Sequence, residues 1–289
     1  IMKICHVLPH TAPGALSYAD LVSGGRGATG SEQAMLYLAK AQAAAGNQVT
    51  CYLPTDTPGF YSGVQTLDYR KAWPRLRQMD TADTIISWLS ADPMRGASDK
   101  QLRIHNLQIN DWMINANGYE QWVDVFVPCS QSHRKHLWSE LGHPPESACV
   151  EIMPNGIDLS RFVGNPTRKP KKCVYLSSPD RGLHWLLAMW PEIRFAYPDA
   201  ELHVFYEVQQ WLDNSVLLNN EVAQRARFVS ERGNALNTKH GVFLRGALSP
   251  TQLAQEMLTS DVMLYPCDTV RYTEGFGVAV LDACAAGVV

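Results

Sequence analysis

Short apolar, β-branched runs alternate along the chain with longer stretches whose apolar residues recur every three to four positions. That alternation is the pattern of stacked βαβ units around parallel sheets. Lys3 to Leu8 reads as the first strand, and Gln48 to Leu53, Thr84 to Trp88, Arg103 to Ile109 and Val123 to Val127 as further buried strands. Ser31 to Ala45 reads as a helix, with Met35, Leu36, Leu38 and Ala39 as its apolar stripe and Gly46 just past its end. A helix after Ser130 carries Leu137 and Leu141 and ends at Gly142. Met153-Pro-Asn-Gly-Ile-Asp158 and the Pro/Lys run from Asn165 to Lys172 then read as a connection between domains. Beyond it the alternation resumes, with strands at Cys173 to Ser177, Glu201 to Tyr206, Val242 to Leu244 and Val262 to Tyr265. One helix runs from Gly182 to Tyr197 and is stopped by Pro198; another has Ser249 as N-cap, Pro250 at its first position and Gln252 closing a capping box. The expectation is an α/β chain of two Rossmann-like parallel-sheet domains, residues 1–164 and 165–289, facing a cleft.

Composition narrows the classes. The 289 residues suffice for two domains, and 46% hydrophobic with 18% charged residues is a globular balance. Lys plus Arg number 25 against 28 acids, a net charge of -3, so no nucleic-acid partner is expected. No apolar run reaches the ~18 residues of a membrane span. The first residues lack the basic region and cleavage site of a signal peptide. Seven cysteines without a CxxC pair point to a reduced, cytoplasmic protein. Of nine scattered histidines, His105 lies in an apolar run and reads as a core residue, while His133 and His136 read as exposed on the Ser130 helix. No metal-ligand spacing occurs, so no metal is expected.

Two stretches could carry chemistry. Gly25-Arg-Gly-Ala-Thr-Gly30 matches GxGxxG, but the first strand ends near Leu8, well short of it, and no acid closes the next strand. A nicotinamide-dependent oxidoreductase is therefore the weaker reading; a flexible glycine loop that opens the Ser31 helix, and can still present backbone amides to an anion, is the stronger. The more specific signal runs from Tyr265 to Gly287: a strand, a polar loop, Glu274, a Gly275-Phe276-Gly277 turn and an apolar helix carrying Asp282. Uncapped amides at that turn suit a phosphate or sugar oxygen, and Glu274 beside them can accept hydrogen bonds from sugar hydroxyls.

Glu274-Gly-Phe-Gly with an acid eight residues on resembles the E-x7-E motif of retaining GT-B glycosyltransferases of group 1, the glycosyltransferase family 4-like proteins. Gly30-Ser-Glu32, the Ala-Gly-Asn-Gln-Val-Thr50 strand entry, Val123 to Ser130, Pro154-Asn-Gly-Ile-Asp158 and Ser177-Ser-Pro-Asp-Arg-Gly182 resemble further motifs of that family in the same order. The resemblance implies a metal-independent enzyme that moves a sugar from a nucleotide-diphosphate donor to a glycan or lipid-linked acceptor, as in polysaccharide biosynthesis. It implies Arg181 on the diphosphate and Glu274 on the sugar as the catalytic pair. It further implies donor contacts from Gly30, Ser178, the Phe243 to Gly246 turn near the base, Gly275, Phe276 and Gly277, with Asp282 on the ribose. Asp111, after the Arg103 strand, is the acceptor-side candidate.

The chain departs from the family in having Asp282 for a Glu, Leu176 for an Arg, and a last stretch, Ala285 to Val289, where relatives continue. The expectation from that last departure is a truncated second domain, with a dimer through its uncovered edge. A lipid-linked acceptor would bring peripheral association with the inner face of a membrane. A non-catalytic GT-B-like protein that binds nucleotide or sugar, or serves in assembly, is the alternative function.

Overall fold

The computed structural model describes residues 1–9, 28–72, 81–108, 110, 118, 120–140, 148–215, 221–267 and 274–289. In the N-terminal half, β1 (Lys3–Val7) is followed by α1 (Gly30–Ala44), β2 (Gln48–Leu53), β3 (Gly59–Tyr61), β4 (Val64–Asp68) and α2 (Tyr69–Ala72). Then come β5 (Thr84–Trp88), β6 (Leu102–Leu107), β7 (Val125–Pro128), α3 (Gln131–Lys135) and β8 (Cys149–Val150). The eight strands form one sheet in the order β3-β4-β2-β1-β5-β6-β7-β8, parallel except for the β3–β4 pair. β1 is central: Cys5 faces Thr50 on one side and Ile85 on the other. Such strands are covered on both faces, which is why they read as unbroken apolar runs.

α1 starts at Gly30 because Thr29 caps it. The Thr29 hydroxyl accepts from the Glu32 amide and the Glu32 carboxylate accepts from the Thr29 amide, a complete capping box. Thr29→Ala is expected to cost about 1 kcal/mol, read from the denaturant midpoint. The β3–β4 hairpin, absent from the sequence expectations, turns on Ser62 and Gly63, both with positive φ (48° and 83°). That is the type I′ geometry that matches strand twist.

A polar network is sealed into this unit. The Trp88 indole donates to His6 Nδ1 at 3.0 Å, and His6 Nε2 meets the Gln42 side-chain oxygen at 2.6 Å. Both ring nitrogens are satisfied by a neutral imidazole. Burial pushes the His6 pKa down to about 4, against the upward pull of Gln42. Below about pH 6.5 the unfolded chain takes a proton that the folded one refuses, so stability falls as pH falls through that window. The expected loss at pH 5.5 is about 1.2 kcal/mol relative to pH 7. A urea midpoint that stays flat between pH 7 and 5.5 would contradict this.

The chain divides between Asp158 and Leu159 into two compact units. In the second, β9 (Lys172–Tyr175), α4 (Leu183–Ala196), β10 (Glu201–Val204), α5 (Val208–Ser215), α6 (Glu221–Leu236), β11 (Val242–Leu244), α7 (Pro250–Leu258), β12 (Val262–Met263) and α8 (Val278–Ala285) follow in order. The sheet order is β11-β10-β9-β12, all parallel. One face packs Tyr175, Leu202 and Val204 against Leu187 and Trp190 of α4 and Ala226 and Val229 of α6. The other packs Met257, Leu258, Ala283, Ala286 and Val288, with Leu176 and Phe162 against them. The capping box expected at Ser249 and Gln252 is present.

Candidate functional site

In an open parallel sheet, ligands bind beyond the carboxyl ends of the strands, where the strand order reverses. In the second unit that place lies between β9 and β12, the first strand and the one added on its other side. The chain leaving β9 supplies Ser177, Ser178 and Arg181, and the chain leaving β12 supplies Tyr265 and, nine residues on in sequence, Glu274. Topology alone therefore brings the two family-like stretches together across 93 residues of sequence.

Gly182 sets the first loop. Its φ is +102°, and a Cβ there would stand 3.2 Å from the Pro266 backbone carbon. The glycine both makes the left-handed turn into α4 and lets the β9 loop lie on the β12 loop. Gly182→Ala is expected to destabilise the second unit by about 1–3 kcal/mol and to shift Arg181; thermal unfolding with and without nucleotide measures both.

The polar contacts form a chain. Arg181 Nη1 donates to Glu274 Oε2 at 2.9 Å and to the Ser177 hydroxyl at 3.3 Å. The Ser177 hydroxyl meets the Tyr265 oxygen at 3.4 Å, and Tyr265 donates to the same Glu274 oxygen. The other Glu274 oxygen accepts from the Phe276 amide at 3.3 Å. Burial works against the Arg181 charge, but Glu274, Tyr265 and Asp180 outweigh it and raise its pKa. Arg181 Nε is buried without a hydrogen-bond partner. Such an orphaned donor on a cation is open to an incoming oxyanion.

The remaining expected residues are distributed as follows. Ser178 contributes its carbonyl, which accepts from the Tyr175 hydroxyl at 2.7 Å and the Arg181 amide at 3.0 Å. Gly277 precedes α8, and no side chain caps that helix. Gly246 follows β11 with φ +72°, and a Cβ there would lie 3.5 Å from Glu207 Oε1, which accepts from the Ala247 amide. Gly30 opens α1 in the first unit. Asp111 and residues 25–27 of the glycine loop lie outside the described residues.

Asp282 is buried, with 4% of its surface exposed, and Arg161 Nη2 donates to its Oδ1 at 2.7 Å. Arg161 Nη1 also donates to the Pro250 carbonyl at 3.2 Å. Burial pushes the Asp282 carboxyl up and Arg161 pulls it down, with burial prevailing. Asp282 is thus an element of an internal ion pair rather than a solvated helix residue. Ser177, Tyr265 and Arg161 were not anticipated; Ser177 and Tyr265 do lie inside the family-like stretches. His105 is buried with its Nδ1 2.7 Å from the Ser87 hydroxyl. His133, expected on the surface, is buried with Nδ1 3.1 Å from Cys129 Sγ, because the first turn of α3 points it inward onto the end of β7. His136 is partly buried beside the Asn110 carbonyl. Among the described residues no group of His, Cys, Asp or Glu is arranged to hold a metal ion, and no helix is long and apolar enough to cross a membrane.

No family model matches the chain. It is 27% identical over 187 residues to a GDP-mannose-dependent α-(1-6)-phosphatidylinositol monomannoside mannosyltransferase of Mycolicibacterium smegmatis, covering 57% of this chain and 43% of that protein. The match thus spans less than half the length of that relative. A glycosyltransferase involved in avilamycin A biosynthesis superimposes with a TM-score of 0.69 at 13% identity, over 100% of this chain and 78% of that one. Sucrose-phosphate synthase from Thermosynechococcus elongatus gives 0.64 at 14% identity, over 100% and 80%. The chain has the GT-B fold. Within that fold it resembles the group 1 glycosyltransferases, as its motifs suggested.

Proposed function

We propose that the chain is the catalytic part of a retaining glycosyltransferase that moves a sugar from a nucleotide-diphosphate donor to a glycan or lipid-linked acceptor. The observation that carries the reading is the convergence of Arg181 and Glu274 at the switch point of the second sheet, 2.9 Å apart. Arg181 would take the diphosphate with its guanidinium fork, filling the orphaned Nε, and stabilise the charge that develops as the sugar leaves. Glu274 would then accept from hydroxyls of the transferred sugar. The turn Gly275 to Gly277, ahead of the uncapped α8, would add amide donors. Retention follows from front-face attack in which the leaving phosphate helps deprotonate the acceptor, leaving the protein to position the reactants. No metal is required in this scheme.

The relative's name favours GDP-mannose as donor and a lipid-linked acceptor. Gly30 and Asp111 in the residue 1–164 domain, and Ser178 and Gly246 in the residue 165–289 domain, complete the proposed contacts. A ribose contact by Asp282 would require it to exchange Arg161 for sugar hydroxyls. That engagement favours a second reading, a nucleotide- or sugar-binding GT-B protein without turnover.

The test is a thermal-shift panel with GDP, UDP, ADP, their common sugar conjugates and NAD. A ligand at about 100 times its dissociation constant adds about 2.7 kcal/mol. Stabilisation by one nucleoside diphosphate and its sugar conjugate, with slow release of the sugar, is expected. Binding without any turnover would select the second reading, and stabilisation by NAD alone would overturn both.

A further inference from the structure

Resting on the donor-site reading, we propose that Tyr265 is a positioning residue: its hydroxyl holds the Glu274 carboxylate in place once a nucleotide diphosphate draws Arg181 away. Glu274 Oε2 has two donors, Arg181 and Tyr265. They differ in what else holds them. Arg181 ends a single 3-10 turn, Pro179–Arg181, and shares the Ser177 hydroxyl with Tyr265; about one third of its side chain is exposed, and its Nε has no partner. A diphosphate offers that guanidinium more charge than one shared carboxylate oxygen does. Tyr265 follows β12, its ring packs against Tyr175 with centroids 6.2 Å apart, and its oxygen is met by Ser177. Tyr175 is itself tied to the Ser178 carbonyl.

Burial, then the Glu274 contact, pushes the Tyr265 phenol up, so the hydroxyl stays protonated and remains a donor. When Arg181 moves to phosphate, the bond from Tyr265 remains on Oε2, and the other oxygen, held by the Phe276 amide, keeps a lone pair for a sugar hydroxyl. Without it the carboxylate would lose its remaining side-chain anchor at the moment the sugar arrives.

The experiment is calorimetric titration of the full chain with GDP and GDP-mannose, and with UDP and UDP-glucose. The readout is the ratio of diphosphate to sugar-conjugate dissociation constants. Tyr265→Phe is expected to leave diphosphate affinity within about twofold and to reduce the sugar's contribution about tenfold. Glu274→Gln should reproduce that loss, and the double variant should add nothing further, because both remove one unit. Tyr175→Phe, which loosens the β9 loop, should move both ligands together.

A Tyr265→Phe protein that loses both ligands equally, or changes neither, overturns the proposal, as does an additive double variant. So does a wild-type protein that binds the diphosphate and its sugar conjugate equally. A wild-type protein that binds none of the four ligands overturns the donor-site reading itself. Should Tyr265→Phe fail to fold, Glu274→Gln decides: loss of the sugar's contribution supports the arrangement, and an unchanged ratio ends it.

Discussion

Arg161→Ala is expected to destabilise the second unit by about 3–5 kcal/mol, enough to unfold a marginal domain at ordinary temperature. The reason is what remains behind. Asp282 has 6% of its side chain exposed, and its carboxylate would be left inside the protein without its cation. Asp282→Ala should cost a similar amount, through a guanidinium left buried beside the Pro250 carbonyl without its carboxylate. Replacing both by Met and Leu should recover most of the loss, because a buried ion pair is worth little against well-packed apolar side chains. Urea unfolding of the three variants measures this. If Arg161→Ala unfolds at the wild-type midpoint, the pair is not the buried bond described above. The same variants separate two roles for Asp282: in the double variant, unchanged nucleotide affinity would restrict Asp282 to structure, and lost affinity would support a ribose contact.

The second large effect is on binding. Arg181→Ala should weaken a nucleoside diphosphate about a hundredfold, since charge-assisted hydrogen bonds contribute about 1.5–3 kcal/mol each. Arg181→Lys should recover only part, because an ammonium cannot reproduce the planar fork. Glu274→Gln should act in the opposite sense on the bare diphosphate. It removes the carboxylate that competes for Arg181 at 2.9 Å, so the diphosphate should bind a fewfold more tightly while sugar transfer is lost. Calorimetry on the three variants checks the pattern. If Glu274→Gln weakened the diphosphate as strongly as Arg181→Ala, the two side chains would not be exchanging partners.

Features decided by near neighbours in sequence were legible from it. Gln48–Leu53 and Thr84–Trp88 are strands with the expected limits, and the Ser249 capping box is where Pro250 and Gln252 put it. α6 was missed because its inward residues are small: Ala223, Ala226 and Gly233 line the buried face with Val229 and Leu236. They make a stripe that hydrophobicity barely registers. Pro198 does stop α4, yet Pro191 sits inside it and the helix continues. At the site, Arg181 and Glu274 could be named because each lies in a recognisable stretch, but their contact depends on β9 and β12 being neighbours. Nothing local connects Arg161 to Asp282, 121 residues away. His133 shows the same limit: its place on a helix was legible, and the side of the helix that meets the sheet was not.

The buried Arg161–Asp282 pair, with Arg168 near it in sequence, forms a clasp that also bears on how the second unit assembles. Arg168 reaches the Ser260 and Ala286 carbonyls, and Arg161 reaches Asp282, so the segment that opens the unit is held to α8 and to the connection ahead of β12. Closing a loop of 118 residues costs about 4 kcal/mol of chain entropy before any contact offsets it. Lys169 and Lys171 already find Glu201 and Asp199 at β10, whereas the Arg161 and Arg168 bonds to Asp282 and Ala286 must wait for α8. The expectation is that these two arginine bonds form late in folding, after the core around Trp190. Substitutions in the arginine clasp should accelerate unfolding far more than they slow refolding.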